Sequence, residues 1–388
     1  MEPENQSPPS ATTGTNNIEP IRSPGLAELA SAGGPNRGLR WILIGSHGLR
    51  AGWSALLFIV LFTTLNLAID LAMFHLHLIS SVEEPAPVPV FFAEAGSLLA
   101  LLIAVVTVGL IEGRRILAYN LTGQRRRQHF FFGLAAGFLA LSALVGTLAA
   151  GGWLHFGRVA LSGTAIFRYG LLWGCTFLVV GCVEEGMFRC YGLFTLARGL
   201  NFWWALGAVG LTCAYLAIFV GGSASWGVYA AALLGLIPCL VLHQKSASHS
   251  GGGGFWYAAW VTSTLFGYVH VSNPNEAWIG IFAAAFIGFV FCVSVRVTGS
   301  AWWAIGCHAG WDWGETYLYG TADSGLTPHG CYLSSSPAGN ALWSGGAVGP
   351  EGSLLVLAAI LLLLALVLLY GRWTTRYQGT PAALAAAD

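Results

Sequence analysis

Apolar residues fall into ten long runs separated by shorter polar connections: 52–79, 95–111, 130–148, 170–196, 202–220, 226–242, 255–271, 277–297, 301–319 and 354–370. The runs are 17 to 28 residues long, and about 20 apolar residues in a helix cross the hydrocarbon core of a bilayer. The pattern predicts an all-α fold, a polytopic helical membrane protein with about ten transmembrane spans. The connections divide it further. Residues 1–40, rich in Pro, Ser, Thr, Asn and Gly, are expected to be a disordered cytoplasmic tail. The first apolar run starts too late and is too long to be a cleavable signal. Residues 41–169 then hold the N-terminal transmembrane helices, 170–319 a helical core, 320–353 a Gly/Ser/Pro-rich loop, and 354–388 a C-terminal anchor and tail. Residues 80–94 read as an acidic, proline-broken loop, and 243–254, with four consecutive glycines, as a flexible loop whose His243 and His249 are solvated.

Composition strengthens this picture. The chain is 55% hydrophobic and 9% charged, against about 25% charged in ordinary soluble domains. Its net charge of zero gives no footprint for nucleic acid. Of the 17 basic residues, the alternating topology puts only Arg158 and Arg168 in outer connections and Arg189 within a run; the rest fall on the inner side. That asymmetry predicts cytoplasmic N- and C-termini. The eight cysteines lie almost all inside apolar runs, with only Cys331 in an expected water-exposed loop. None forms a Cys-x-x-Cys pair, so they read as small core residues rather than a disulfide framework.

Against this background, charge inside a run needs a reason, because an ionisable group at membrane depth costs at least ~2.5–3.5 kcal/mol on insertion scales. The fourth run contains Glu184, Glu185 and Arg189 within six residues. Glu185 and Arg189 are four apart and share a helix face; Glu184 is rotated about 100° away and is free for another partner. The seventh run carries Phe266 and His270, the ninth His308 and Asp312, each pair again four apart. Three helices can therefore converge a Glu pair, a His and a His/Asp pair on one interior cavity.

Two hydrolytic chemistries fit. In one, Glu184 is a general base that draws a proton from a water held with His270, and His308 with a neighbouring polar group stabilises an oxyanion. In the other, His270, His308 and a carboxylate bind zinc, which activates the water; the His-Glu-x-x-His helix motif of zincins is absent. A non-enzymatic alternative is a transporter or binding scaffold that uses the buried charges as a relay.

Glu184-Glu185-x-x-x-Arg189, Phe266-x-x-x-His270 and His308-x-x-x-Asp312, in this order, resemble the three motifs of the CAAX protease and bacteriocin-processing (CPBP) intramembrane endopeptidases. Thr298 to Ser300 followed by Trp302 and Trp303 resembles the family's approach to its last motif, so the likeness spans residues 170–313. It implies a glutamate-dependent peptidase in which Glu184 activates water with His270, His308 and Asp312 form the oxyanion hole, and Glu185 and Arg189 support them. It implies no cofactor, with zinc as the alternative. Its expected partners are a peptide or membrane-protein substrate and the lipid bilayer, in a bacterial cytoplasmic membrane. Two departures stand out: Asp312 occupies a position where the prenyl-protein members have Asn, and the interval from Arg189 to Phe266 is longer than usual.

Overall fold

All ten apolar runs are helical in the computed structural model, which describes residues 42–45, 48–79, 86–247 and 254–376. The chain divides into two units, 1–48 and 49–388, and everything below lies in the second. The helices are α1 (Ala51–His75), α2 (Pro87–Glu112), α3 (Arg126–Ala150), α4 (Thr164–Ala197), α5 (Phe202–Val220), α6 (Ser225–Ala247), α7 (Phe255–Val269), α8 (Trp278–Thr298), α9 (Trp302–Asp312, prolonged by a π-helical segment Trp313–Tyr319) and α10 (Val356–Arg376). The all-α polytopic fold holds. Among the described residues, eight helices are long and apolar enough to cross a membrane, against the expected ten or so. The two that fall short are α7 and α9, the helices of the second and third motifs. At 15 residues, α7 is only about 22 Å long.

Three local expectations change. Helix α2 starts at Pro87 rather than near residue 95, because proline at the first helical position loses no hydrogen bond and has the right φ. Glu94 is thus two turns inside a helix. Helix α6 continues to Ala247, so His243 is not in a flexible loop; its ring packs on Tyr257 with centroids 4.4 Å apart. His249 and the glycine tract up to 253 lie outside the described residues. Cys331 does fall in a connection but is buried, its Sγ donating to the Pro328 carbonyl at 3.2 Å.

The helices that carry the motifs are held by backbone-to-backbone packing. Gly133 and Gly137 of α3 face Trp303 and Cys307 of α9, while Gly306 and Gly310 of α9 face Phe130 and Leu134 of α3; a Cβ at any of the four would collide with the opposing backbone. Two small-xxx-small stripes meet, the arrangement that lets membrane helices approach closely without polar partners. On its other side α9 meets α4 at Gly181, where a Cβ would lie 3.1 Å from the Ile305 carbonyl. His308 is therefore fixed between two helices.

Connections alternate between the two ends of the bundle. At one end, Ser54 Oγ donates to Glu112 Oε1 at 2.6 Å, and Arg198 and Arg114 lie 3.0 and 3.2 Å from Glu112 Oε2. The Asn120 carbonyl accepts from the Ala301 N–H at the start of α9. At the opposite end, β1 (Leu154–Val159) pairs antiparallel with β2 (Leu333–Pro337), Leu154 opposite Pro337 and Val159 opposite Leu333. Residues 320–352 are thereby tied to the connection between α3 and α4, and Asn275 reaches the Gly325 carbonyl from the connection after α7.

Candidate active site

Helix α4 brings Glu184 and Glu185 to α9 just before a π-helical segment, Gly186–Gly192, which accommodates one residue more per turn than an α-helix. Glu185 is fully buried. Its Oε2 lies 3.2 Å from Arg189 Nε, and its Oε1 accepts from Arg189 Nη1 at 3.3 Å and from His308 Nδ1 at 3.0 Å. The Arg189 guanidinium, also fully buried, stacks over Phe266 at 4.1 Å. Gly288 of α8 leaves the space it needs: a Cβ there would come within 2.6 Å of Nη2. The expected i, i+4 pair thus exists and does a specific task, holding His308 by its Nδ1.

A carboxylate only accepts, so His308 Nδ1 carries the hydrogen. Its Nε2 then faces two more carboxylates, Asp312 Oδ2 at 3.4 Å and Glu184 Oε2 at 3.8 Å. Glu184 Oε2 is buried and has no hydrogen-bond partner among the described residues. His270 caps the end of α7, its Nδ1 2.7 Å from the Phe266 carbonyl oxygen. By the same rule Nδ1 is the donor, which leaves Nε2 for other partners.

Glu184, His270, His308 and Asp312 line one cavity of about 330 Å³. Val180, Ala283, Ile287, Val356, Ile360 and Leu363 supply apolar wall. Five of the six expected residues form one contact chain through His308, and His270 joins them across the cavity rather than by a direct bond. The expected turn before the third motif is present: Gly299 adopts φ +74°, and Thr298 Oγ1 accepts from the Ser300 N–H and donates to the Ser300 carbonyl. Trp302 Nε1 donates to the Leu121 carbonyl, and Trp303 is fully buried.

The cavity also contains residues that the sequence did not single out. Glu94 of α2 lines it, as do Glu276, Asp323 and Glu351 from the connections. Burial pushes the Glu276 carboxyl up to about 7, and burial beside Glu351 does the same to Asp323. Among the described residues, the one set of three metal-type donors mutually within 4.8 Å is Glu315, Asp323 and Glu351; it includes neither His270 nor His308.

Comparison with known families follows this geometry. Residues 241–314 match the family model described as type II CAAX prenyl endopeptidase Rce1-like. This is the family that the three motifs resemble. The Rce1-like segment contains His270, His308 and Asp312 and ends two residues after the last of them. It stops short of Glu184, Glu185 and Arg189, which are linked to it by the bond from His308 to Glu185. Comparison with curated proteins and with solved structures gives no match.

Proposed function

We propose that the chain is an intramembrane endopeptidase that hydrolyses a peptide bond of a membrane-associated peptide or protein, with Glu184 as the base. The observation that carries this reading is the carboxylate oxygen of Glu184 that has no hydrogen-bond partner among the described residues, on the wall of a cavity shared with His270 and His308. The Rce1-like match supports a protease of CAAX type. A water between Glu184 and His270 donates one hydrogen to the carboxylate and the other to His270 Nε2, leaving a lone pair for the scissile carbonyl. The water oxygen bonds to the carbonyl carbon as its proton moves to Glu184. An N–H at His308 Nε2, or a protonated Asp312 beside it, is placed to meet the developing oxyanion. When the C–N bond breaks, Glu184 returns the proton to the leaving amine.

The apolar wall suits an aliphatic side chain or a lipid-like tail of the substrate. The cavity is lined by the connections at the arginine-poor end of the bundle. Positive-inside asymmetry therefore supports a site facing away from the cytoplasm, with both termini inside.

Purified full-length protein in detergent, offered a library of membrane-associated reporter peptides, tests the reading. Wild type should cleave; Glu184→Gln and His270→Ala should each lose roughly 10²-fold or more in rate. Undiminished cleavage by Glu184→Gln would remove Glu184 as the base.

A further inference from the structure

A second cluster of chemistry lies beside the site. Glu315 is in the π-helical end of α9, Asp323 in the connection that follows, and Glu351 in the single turn Pro350–Gly352 before α10. One carboxylate oxygen of each lies within 4.8 Å of the other two. Neighbouring donors satisfy part of the set. Trp311 Nε1 donates to Glu315 Oε2 at 2.8 Å and to Glu351 Oε1 at 3.0 Å. Thr316 Oγ1 donates to Asp323 Oδ2, and Ser324 Oγ to Glu351 Oε2, each at 2.8 Å.

The most buried member remains unsatisfied. Glu315 has no exposed surface, and its Oε1 meets no donor among the described residues. Among the described residues no Lys, Arg or His side chain forms an ion pair with any of the three. Glu315 is buried and Asp323 and Glu351 are half-buried. Three carboxylates this close repel one another when charged, so they must either share protons or bind positive charge, and only a bound cation also gives Glu315 Oε1 a partner.

We propose that Glu315, Asp323 and Glu351 bind a divalent cation, with Ca²⁺ the best match, and that the ion clamps residues 320–352 onto the end of α9. The donor set is all oxygen, which selects a hard cation over zinc. The three donor oxygens all lie within 4.8 Å of one another, close enough for one ion to meet all three. Ligands on three separate segments suit the flexible coordination of Ca²⁺ better than the strict octahedron of Mg²⁺. Asp323 and Glu351 line the cavity, so the ion would form part of its wall, one helical turn from Asp312. The site is distinct from any zinc at His270 and His308 and does not depend on the peptidase reading.

Trp311 supplies a built-in reporter, because its indole touches two of the three ligands. Tb³⁺, which occupies Ca²⁺ oxygen sites and emits when a nearby indole is excited, is titrated into the detergent-purified full chain. The expected result is saturable emission that Ca²⁺ displaces and that is lost in both Asp323→Asn and Glu351→Gln. Ca²⁺ should also raise the thermal midpoint of wild type and leave the midpoint of Asp323→Asn unmoved. No saturable emission and no midpoint shift in wild type would overturn the proposal, and this comparison needs no variant to fold. Emission unchanged in both variants, or displaced by Zn²⁺ but not by Ca²⁺, would overturn it as well.

Discussion

Arg189 is out of reach of water: its guanidinium is fully buried, with Glu185 along one side and the Phe266 ring over its face. A buried pair adds little net stability, but removing one partner strands the other, at a cost of about 3–5 kcal/mol. Arg189→Met should therefore lower the thermal midpoint sharply, while the double variant Glu185→Leu with Arg189→Met should recover much of it. Activity should stay lost in the double variant despite that recovery, because His308 Nδ1 has then lost Glu185, the acceptor that orients the ring. Thermal unfolding and reporter cleavage on the same preparations separate the two effects. Glu276 gives a prediction of different form. Burial lifts its folded-state value from 4.5 to about 7, so the native protein holds this proton more tightly than the unfolded chain. Stability from this group is present below about 4.5, falls as pH rises towards about 7, and levels off above. Glu276→Gln should remove that slope, matching wild type at pH 4.5 and exceeding it at pH 8 in thermal midpoint. Glu184, Glu185, Arg189, His270, His308 and Asp312 were legible because each is a polar residue in an apolar run. Glu276, Asp323 and Glu351 were not, since acidic residues in connections are ordinary and only folding brings them to the cavity.

Among the elements, α9 depends most on what faces it. Its approach to α3 rests on four glycines, two from each helix. Gly137→Leu places a side chain against the Cys307 backbone; overpacking of this kind costs about 1–3 kcal/mol. We expect a lower thermal midpoint together with a larger loss of cleavage, because the displaced segment includes the neighbour of His308. Gly146, with nothing within 4 Å of a Cβ, is the control, and Gly146→Ala should leave both measurements unchanged. The glycine spacing was visible in the sequence, but which helices it joins was not, because periodicity carries no information on partners. Helix existence was legible throughout; helix ends were not. Prolines 87 and 89 looked like breakers of a loop, yet in the first turn of α2 they sit where the helix has no bond to lose. The π-helical segments at Gly186–Gly192 and Trp313–Tyr319 left no trace in the hydrophobic pattern.

At the scale of the whole molecule, alternation of the connections sorts most of the arginines to one end and the connections that line the cavity to the other. Ser335 of β2 and Gln124, before α3, mark the two ends. In intact cells, a membrane-impermeant maleimide should label Ser335→Cys directly and Gln124→Cys only after permeabilisation, judged against wild type with its own eight cysteines. The opposite pattern would reverse the proposed orientation. The polytopic all-α class was legible from composition and run length alone. The strand pairing between 154–159 and 333–337 was not, because neither segment shows a pattern that names a partner so far away. That pairing sets a clock on synthesis. Val159 meets Leu333, and at translation rates of about 5–20 residues per second the first strand waits roughly 9–35 s for the second to be made. During the wait an open strand edge bearing the exposed Phe156 and Val159 is free to pair with whatever strand it meets. The covering of the cavity is thus among the last parts of the protein to be completed, and a ribosome that stalls within 320–332 leaves a membrane-inserted chain whose motif helices are present but uncovered.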